Sequence, residues 1–198
     1  MDYGVGNLVS VINALSCVGA TPDRVRDPRA LAGASAIVLP GVGHFATTTR
    51  LNETWREAIA DAVRERVPLL GICLGMQWLF DGSTEAPGVP GLGALQGTCA
   101  VLSGDVKIPH VGWNTLERAP RPSVLLDGIP PGAAVYFTHS YAAPVTDDAV
   151  ASTTHGATFA SVVERGRVLG VQWHPEKSGR VGLALLANFT ALAREAAC

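Results

Sequence analysis

A cysteine set between two glycines, a histidine with a glutamate two places after it, and a Pro-Gly-Val-Gly loop are the residues of this 198-residue chain whose types and spacing suit chemistry. Gly71-Ile-Cys73-Leu-Gly75 has the GxCxG spacing of a nucleophile elbow, where a sharp strand-to-helix turn lifts one side chain clear of the backbone. A thiol at such a corner meets the unpaired N–H groups of a helix start, which favour the thiolate. A buried structural cysteine satisfies the same stretch, because free cysteine is among the most buried residue types.

A thiolate nucleophile needs a base, a group that orients the base, and donors for the oxyanion of a tetrahedral intermediate. His174 ends the apolar run Val168–Trp173 as Cys73 ends Val67–Ile72, so two adjacent parallel strands would bring them together. Glu176 follows, and with Pro175 restricting the backbone it can turn back to hold the imidazole. Oxyanion donors would be the N–H of Leu74 and one from the Pro40–Gly43 loop, Val42. On its own, His-Pro-Glu is a common tripeptide.

The elements that must position these groups are legible from periodicity. Ser35–Leu39, Val67–Ile72 and Val168–Trp173 are short apolar runs of the kind that fill parallel strands covered on both faces. Helices are expected at Leu8–Val18 with Asn7 as N-cap, from Asp27-Pro28, at Glu53–Arg66, at Leu74–Phe80 and at Gly179–Glu195. Between them, Asp81–Gly97 reads as a surface loop, and Thr98–Gly166 as strand-rich with a hairpin at Arg165-Gly166. Alternating strands and helices imply an α/β, doubly wound, mostly parallel sheet with added antiparallel strands, in one domain over residues 1–198.

A net charge of -2 without a basic stripe argues against a nucleic-acid partner, and no apolar run is long enough for a membrane span. No leader is visible, so a cytoplasmic location is expected. Cys17, Cys73, Cys99 and Cys198 lie far apart without ligand spacing, and neither a metal, a cofactor nor a disulfide framework is expected. His110 and His139 have no partner at ligand spacing, so packing and hydrogen bonding are their expected roles; His155 reads as a surface residue, and His44 borders the glycine loop without an assigned role.

Together these pieces resemble the class I glutamine amidotransferases, whose elbow and downstream His-Pro-Glu supply a Cys/His/Glu triad on a flavodoxin-like sheet. DYGVGN at Asp2–Asn7, LPGVGHF at Leu39–Phe45, GICLGMQ at Gly71–Gln77, KIPHVGWN at Lys107–Asn114, YFTHSY at Tyr136–Tyr141 and GVQWHPEKS at Gly170–Ser178 run the length of the chain. They are similar to the amidotransferase subunits of imidazole glycerol phosphate synthases, the histidine-pathway branch of that family. The resemblance implies that Cys73 attacks the side-chain amide of L-glutamine, with His174 and Glu176 completing the triad. It implies glutamine contacts from Gly41, Gln77, Glu85 and the Ser140-Tyr141 backbone, though Gln77 and Glu85 also suit a capping or solvent-facing role. It further implies a (β/α)8-barrel cyclase partner that receives the ammonia and forms imidazole glycerol phosphate and aminoimidazole carboxamide ribotide. Trp113, Asn114, Tyr136 and Lys177 are the expected docking residues; Trp113 and Tyr136 also suit an ordinary core.

Two features depart from the family pattern. Trp173 stands where phenylalanine is usual, and Met1 directly precedes Asp2 where relatives carry the apolar residues of a first strand, so that strand is expected to be truncated. Other expectations remain: an amidotransferase subunit for anthranilate or aminodeoxychorismate synthase, disfavoured by KIPHVGWN and YFTHSY, or a non-catalytic assembly subunit, disfavoured by the intact triad.

Overall fold

The computed structural model describes residues 1–196. In chain order its helices and strands are α1 (Leu8–Cys17), β1 (Ile37–Gly41), α2 (Glu53–Arg64), β2 (Leu69–Cys73), α3 (Leu74–Trp78), β3 (Gly82–Ser83), β4 (Thr98–Val101), β5 (His110–Thr115), β6 (Glu117–Arg118), β7 (Ala134–His139), β8 (Tyr141–Ala142), β9 (Ala149–His155), β10 (Ala157–Arg165), β11 (Val168–Val171) and α4 (Gly179–Ala196). Side-chain caps start the first two helices: Asn7 accepts from the Ser10 N–H, and Asn52 from the Trp55 N–H. Each helix then buries one stripe, Val11, Ala14 and Leu15 on α1 and Trp55, Ile59 and Ala62 on α2.

The main sheet has the order β1-β2-β11-β10-β9-β6. β1, β2 and β11 run parallel, whereas β10, β9 and β6 continue antiparallel, so the expected mixed doubly wound sheet is present. Every residue of β2 is buried because side chains cover both of its faces. Leu70 and Ile72 join α1 and α4 residues such as Leu15, Leu185 and Phe189, while Leu69 joins Trp55, Ile59 and Met76 on the other side. A separate antiparallel pair, β5 with β7, stands beside the sheet. Among the described residues no helix is long and apolar enough to cross a membrane.

Several boundaries differ from the sequence expectation. β1 starts two residues later and takes in Pro40 and Gly41, which pair with Ile72 and Cys73. Proline is tolerated because β1 lies at the sheet's edge, where its missing N–H leaves no ladder bond unmade. The helix expected from Asp27-Pro28 is one 3-10 turn, Pro28–Leu31, capped by Asp27. α3 stops at Trp78, not Phe80, because the following loop folds back and caps its end. Leu92, Leu95 and Gly93 donate to the carbonyls of Trp78, Leu79 and Phe80 at 2.6, 3.0 and 3.1 Å.

At the other edge of β1, the Met1 ammonium donates to the Val38 carbonyl at 2.8 Å and the Asp2 N–H donates to Val25 at 2.7 Å. These residues thus bridge β1 and the 22–26 segment as a short strand would. Burial pushes the Met1 ammonium down to about 6, and a cavity of about 360 Å³ lined by Met1, Val11, Leu15, Leu31 and Ile37 opens beside it.

Candidate active site

Cys73 closes β2 with φ +53° and ψ −110°, a conformation that costs a non-glycine residue free energy and persists where the surroundings enforce it. The surroundings are tight. A Cβ on Gly71 would sit 2.7 Å from the Met76 backbone, and one on Gly75 would drive into the Leu39 carbonyl of β1. The elbow is thus pressed between its own strand and its neighbour, which leaves the Cys73 side chain buried at its tip. α3 has only five residues, so the helix-dipole contribution expected at the thiol is small, and its side-chain neighbours matter more.

β11 lies beside β2 with Val171 opposite Ile72, so Gln172 comes level with Cys73 and His174 follows just beyond the sheet's edge. A short turn, Pro175–Lys177, then brings Glu176 back. His174 Nδ1 lies 2.8 Å from Glu176 Oε1, and both side chains are only 2% exposed. The His174 N–H donates to Tyr136 at 3.0 Å and the Ser178 hydroxyl donates to the His174 carbonyl at 2.7 Å, which fixes the turn. Burial alone would lower the imidazole's pKa, but the nearby Cys73 sulfur and the Glu176 carboxylate held at Nδ1 together outweigh it and raise it to about 9. His174 Nε2 carries no formed hydrogen bond among the described residues, so it stays free on the side away from Glu176. Catalytic hydrogen bonds commonly tighten only when substrate arrives.

Leu74 is buried directly after the cysteine, and Gly41 packs against it closely enough that a Cβ there would lie 2.9 Å from the Leu74 Cβ. Val42 is 39% exposed, and Gly43 at φ +96° turns the loop away. Glu85 reaches across from the 81–97 loop and accepts from the Phe45 N–H at 2.7 Å, which ties it to the end of this segment. Gln77 Nε2 donates to the Tyr141 carbonyl at 2.7 Å and to Gln172 Oε1 at 3.1 Å. The Ser140 carbonyl accepts from Leu102. Gln77 and Tyr141 are thus linked to the thiol's neighbour, and Glu85 to the glycine loop.

Trp113, Tyr136 and Lys177 also come together. Lys177 Nζ lies 5.7 Å from the centre of the Tyr136 ring, and Trp113 meets that ring edge-on at 6.0 Å. Trp113 is 59% exposed, so it is no core residue. Asn114 departs from the expected cluster: successive strand residues face opposite ways, and its amide donates to the Thr154 carbonyl at 3.0 Å instead. His155 is likewise not a plain surface residue, since it stacks on His110 at 4.1 Å and pairs with the Lys107 carbonyl. His44 caps the 3-10 turn Phe45–Arg50. No group of metal-ligating side chains occurs among the described residues, Cys17, Cys73 and Cys99 are free thiols, and Cys198 lies outside the described residues.

Sequence reasoning missed two residues. Gln172 donates to Cys73 Sγ at 3.7 Å; its signal was a polar side chain inside the apolar run Val168–Trp173. Tyr3 places a buried hydroxyl, without a hydrogen-bond partner among the described residues, against Gly41. Nothing in the Asp2–Asn7 motif by itself pointed there.

Comparison with known proteins agrees with this geometry. The family model of class-I glutamine amidotransferases matches residues 1–192. The chain is 50% identical, over 96% of its length and 90% of the relative's, to a protein of Deinococcus radiodurans named imidazole glycerol phosphate synthase subunit HisH. A protein of the same name from Thermococcus kodakarensis is 47% identical, with 97% and 98% covered. Among solved structures, a glutamine amidotransferase superposes with a TM-score of 0.75 at 22% identity over 96% of this chain and 95% of its own, which is a likeness of fold. With an elbow cysteine, a histidine–glutamate pair beyond the next parallel strand and a family match over nearly the whole length, the chain belongs to the class-I glutamine amidotransferases.

Proposed function

We propose that the chain is the glutaminase subunit of an imidazole glycerol phosphate synthase, which hydrolyses L-glutamine to glutamate and passes the ammonia to a cyclase subunit in histidine biosynthesis. The observation that carries this reading is the strained cysteine beside a buried histidine–glutamate pair, in a chain whose relatives bear that subunit's name.

The Cys73 thiolate attacks the side-chain carbonyl carbon of glutamine, and the carbonyl's electron pair moves onto oxygen. The N–H groups of Leu74 and Val42 hold that oxyanion. His174, oriented by Glu176, gives its proton to the amide nitrogen as the C–N bond breaks and ammonia leaves. Water then yields a proton to His174 and attacks the thioester; the C–S bond breaks, releasing glutamate and restoring the thiolate. Gly41, Gln77, Glu85, Ser140 and Tyr141 hold the substrate. Free ammonia in neutral water is mostly ammonium, which has no lone pair to attack with, so direct transfer to the cyclase is what preserves the nucleophile. Trp113, Tyr136 and Lys177 form the docking patch. We place the protein in the cytoplasm, where free thiols such as the exposed Cys17 persist.

The raised His174 pKa gives the reading a pH signature. The folded state favours the imidazolium, so its stabilisation is complete below the ordinary value of 6.5 and disappears as pH rises through about 9. Above about 9 the acid that expels ammonia is lost, and glutamate release by the complex is expected to fall. Glu176→Gln removes one of the partners that raise it, so the alkaline limb should move to lower pH. Glutamate release measured across pH, with the cyclase and its nucleotide substrate present, checks both. No turnover in the wild-type complex would overturn the function, and an unmoved limb in Glu176→Gln would overturn the role given to Glu176.

A further inference from the structure

We propose that Gln172 is a further residue of the thiol site: its side-chain amide donates a hydrogen bond to the Cys73 sulfur and stabilises the thiolate, and a polar relay behind it fixes which end of the amide faces the sulfur. The proposal rests on Cys73 being the nucleophile.

Gln172 is fully buried and follows β11, whose four residues are all buried and apolar. An amide in such a place costs free energy unless both its ends are bonded. One end is bonded to the sulfur, with Nε2 at 3.7 Å from Cys73 Sγ. The other end settles the orientation. The Tyr141 carbonyl can only accept, and it receives Gln77 Nε2 at 2.7 Å and His139 Nδ1 at 3.0 Å. Gln77 Nε2 also donates to Gln172 Oε1 at 3.1 Å, so the oxygen of Gln172 is occupied and its nitrogen must face the thiol. Reversed, the amide would aim its carbonyl oxygen at a thiolate.

The relay continues outward. With its proton on Nδ1, neutral His139 has only Nε2 left to accept, and His110 Nδ1 lies 3.2 Å away. His110 Nε2 in turn faces the Asn114 amide at 3.4 Å. Burial pushes His139 down to about 3; burial, with the neighbouring His155, pushes His110 down to about 4, so both rings are neutral at physiological pH. The titratable groups that face Cys73 are His174, with Glu176 behind it, and Tyr3, whose pKa burial and the nearby thiol raise. Gln172 is thus a neutral donor beside one cationic partner. It strengthens the thiolate without titrating itself, and its donor direction is set by groups that hold no charge.

The test is the pH dependence of Cys73 alkylation by iodoacetamide in the full chain, read by mass spectrometry. Gln172→Met, which keeps the volume and removes the donor, is expected to raise the apparent thiol pKa by about one unit and to slow alkylation at neutral pH about tenfold. Gln172→Glu, with a carboxylate facing the sulfur, should raise it further. His139→Phe keeps the edge-on aromatic contacts with His110 and Phe159 but loses the bond to Tyr141; it should shift the thiol in the same direction by less. His139→Asn, whose amide nitrogen replaces Nδ1, should restore it. An unchanged thiol pKa in both Gln172 variants overturns the proposal, as does a lowered melting temperature with no thiol shift. Where the Gln172 variants do not fold, equal thiol pKa values in the two His139 variants overturn it. Glutamine turnover is separate: an inactive wild-type complex would remove the proposed function while leaving the thiol shift standing.

Discussion

Replacing Cys73 with alanine is expected to abolish glutamine hydrolysis by the complex, a loss of about a thousandfold or more, while the melting temperature stays close to wild type. Neither of the other cysteines among the described residues can substitute. Cys99 is buried with its thiol pushed up to about 12 by desolvation, and its sulfur is turned to the Gln77 carbonyl. Cys17 is exposed on α1, outside the parallel strands' C-terminal edge. The fold should tolerate the change because what holds the elbow is backbone contact around Gly71 and Gly75, not the thiol. Glutamate release and thermal unfolding of the same preparation separate the two effects. Residual turnover well above this level would mean that another group performs the attack.

Gly75→Ala should do the opposite, removing folded protein instead of chemistry. The added methyl meets the Leu39 carbonyl oxygen and carbon, and both belong to the backbone of β1, which is fixed along its length to β2. A flexible side chain could move aside; this strand cannot without losing ladder bonds. The cost is about 3 kcal/mol or more, enough to lower the melting temperature by about 10 °C and to reduce the soluble yield. Gly82→Ala is the comparison, because its nearest neighbour is the Val89 carbonyl at 3.3 Å in a surface loop, and it should cost much less. Similar melting temperatures for the two variants would show that the elbow has slack that the geometry denies.

The parts of this site legible in the sequence were those that local pattern dictates. Cys73 and His174 each end an apolar run, and parallel pairing of those runs follows from the strand–helix alternation, so their meeting could be argued before any coordinates. Glu176 followed from the backbone restriction at Pro175. What stayed hidden depends on packing between distant segments. α3 is shorter than its apolar spacing suggested because N–H groups of the 81–97 loop take its last carbonyls, a long-range event that periodicity does not encode. Asn114 adjoins Trp113 in sequence yet faces the other way, since strand pleat separates neighbours. Gln172 carried a signal that could have been used: a buried amide directly after an apolar strand requires partners, and the strand's register puts one of them at the cysteine.

The attack itself is tested most directly by a glutamine analogue bearing an electrophile at the side-chain carbonyl position, with the modified residue mapped by peptide mass spectrometry in the complex with the cyclase. The expected result is one adduct per chain, on Cys73 alone, prevented by excess glutamine and slowed by His174→Asn. Labelling of Cys17 or Cys99 instead, or labelling of Cys73 that glutamine does not prevent, would contradict the account.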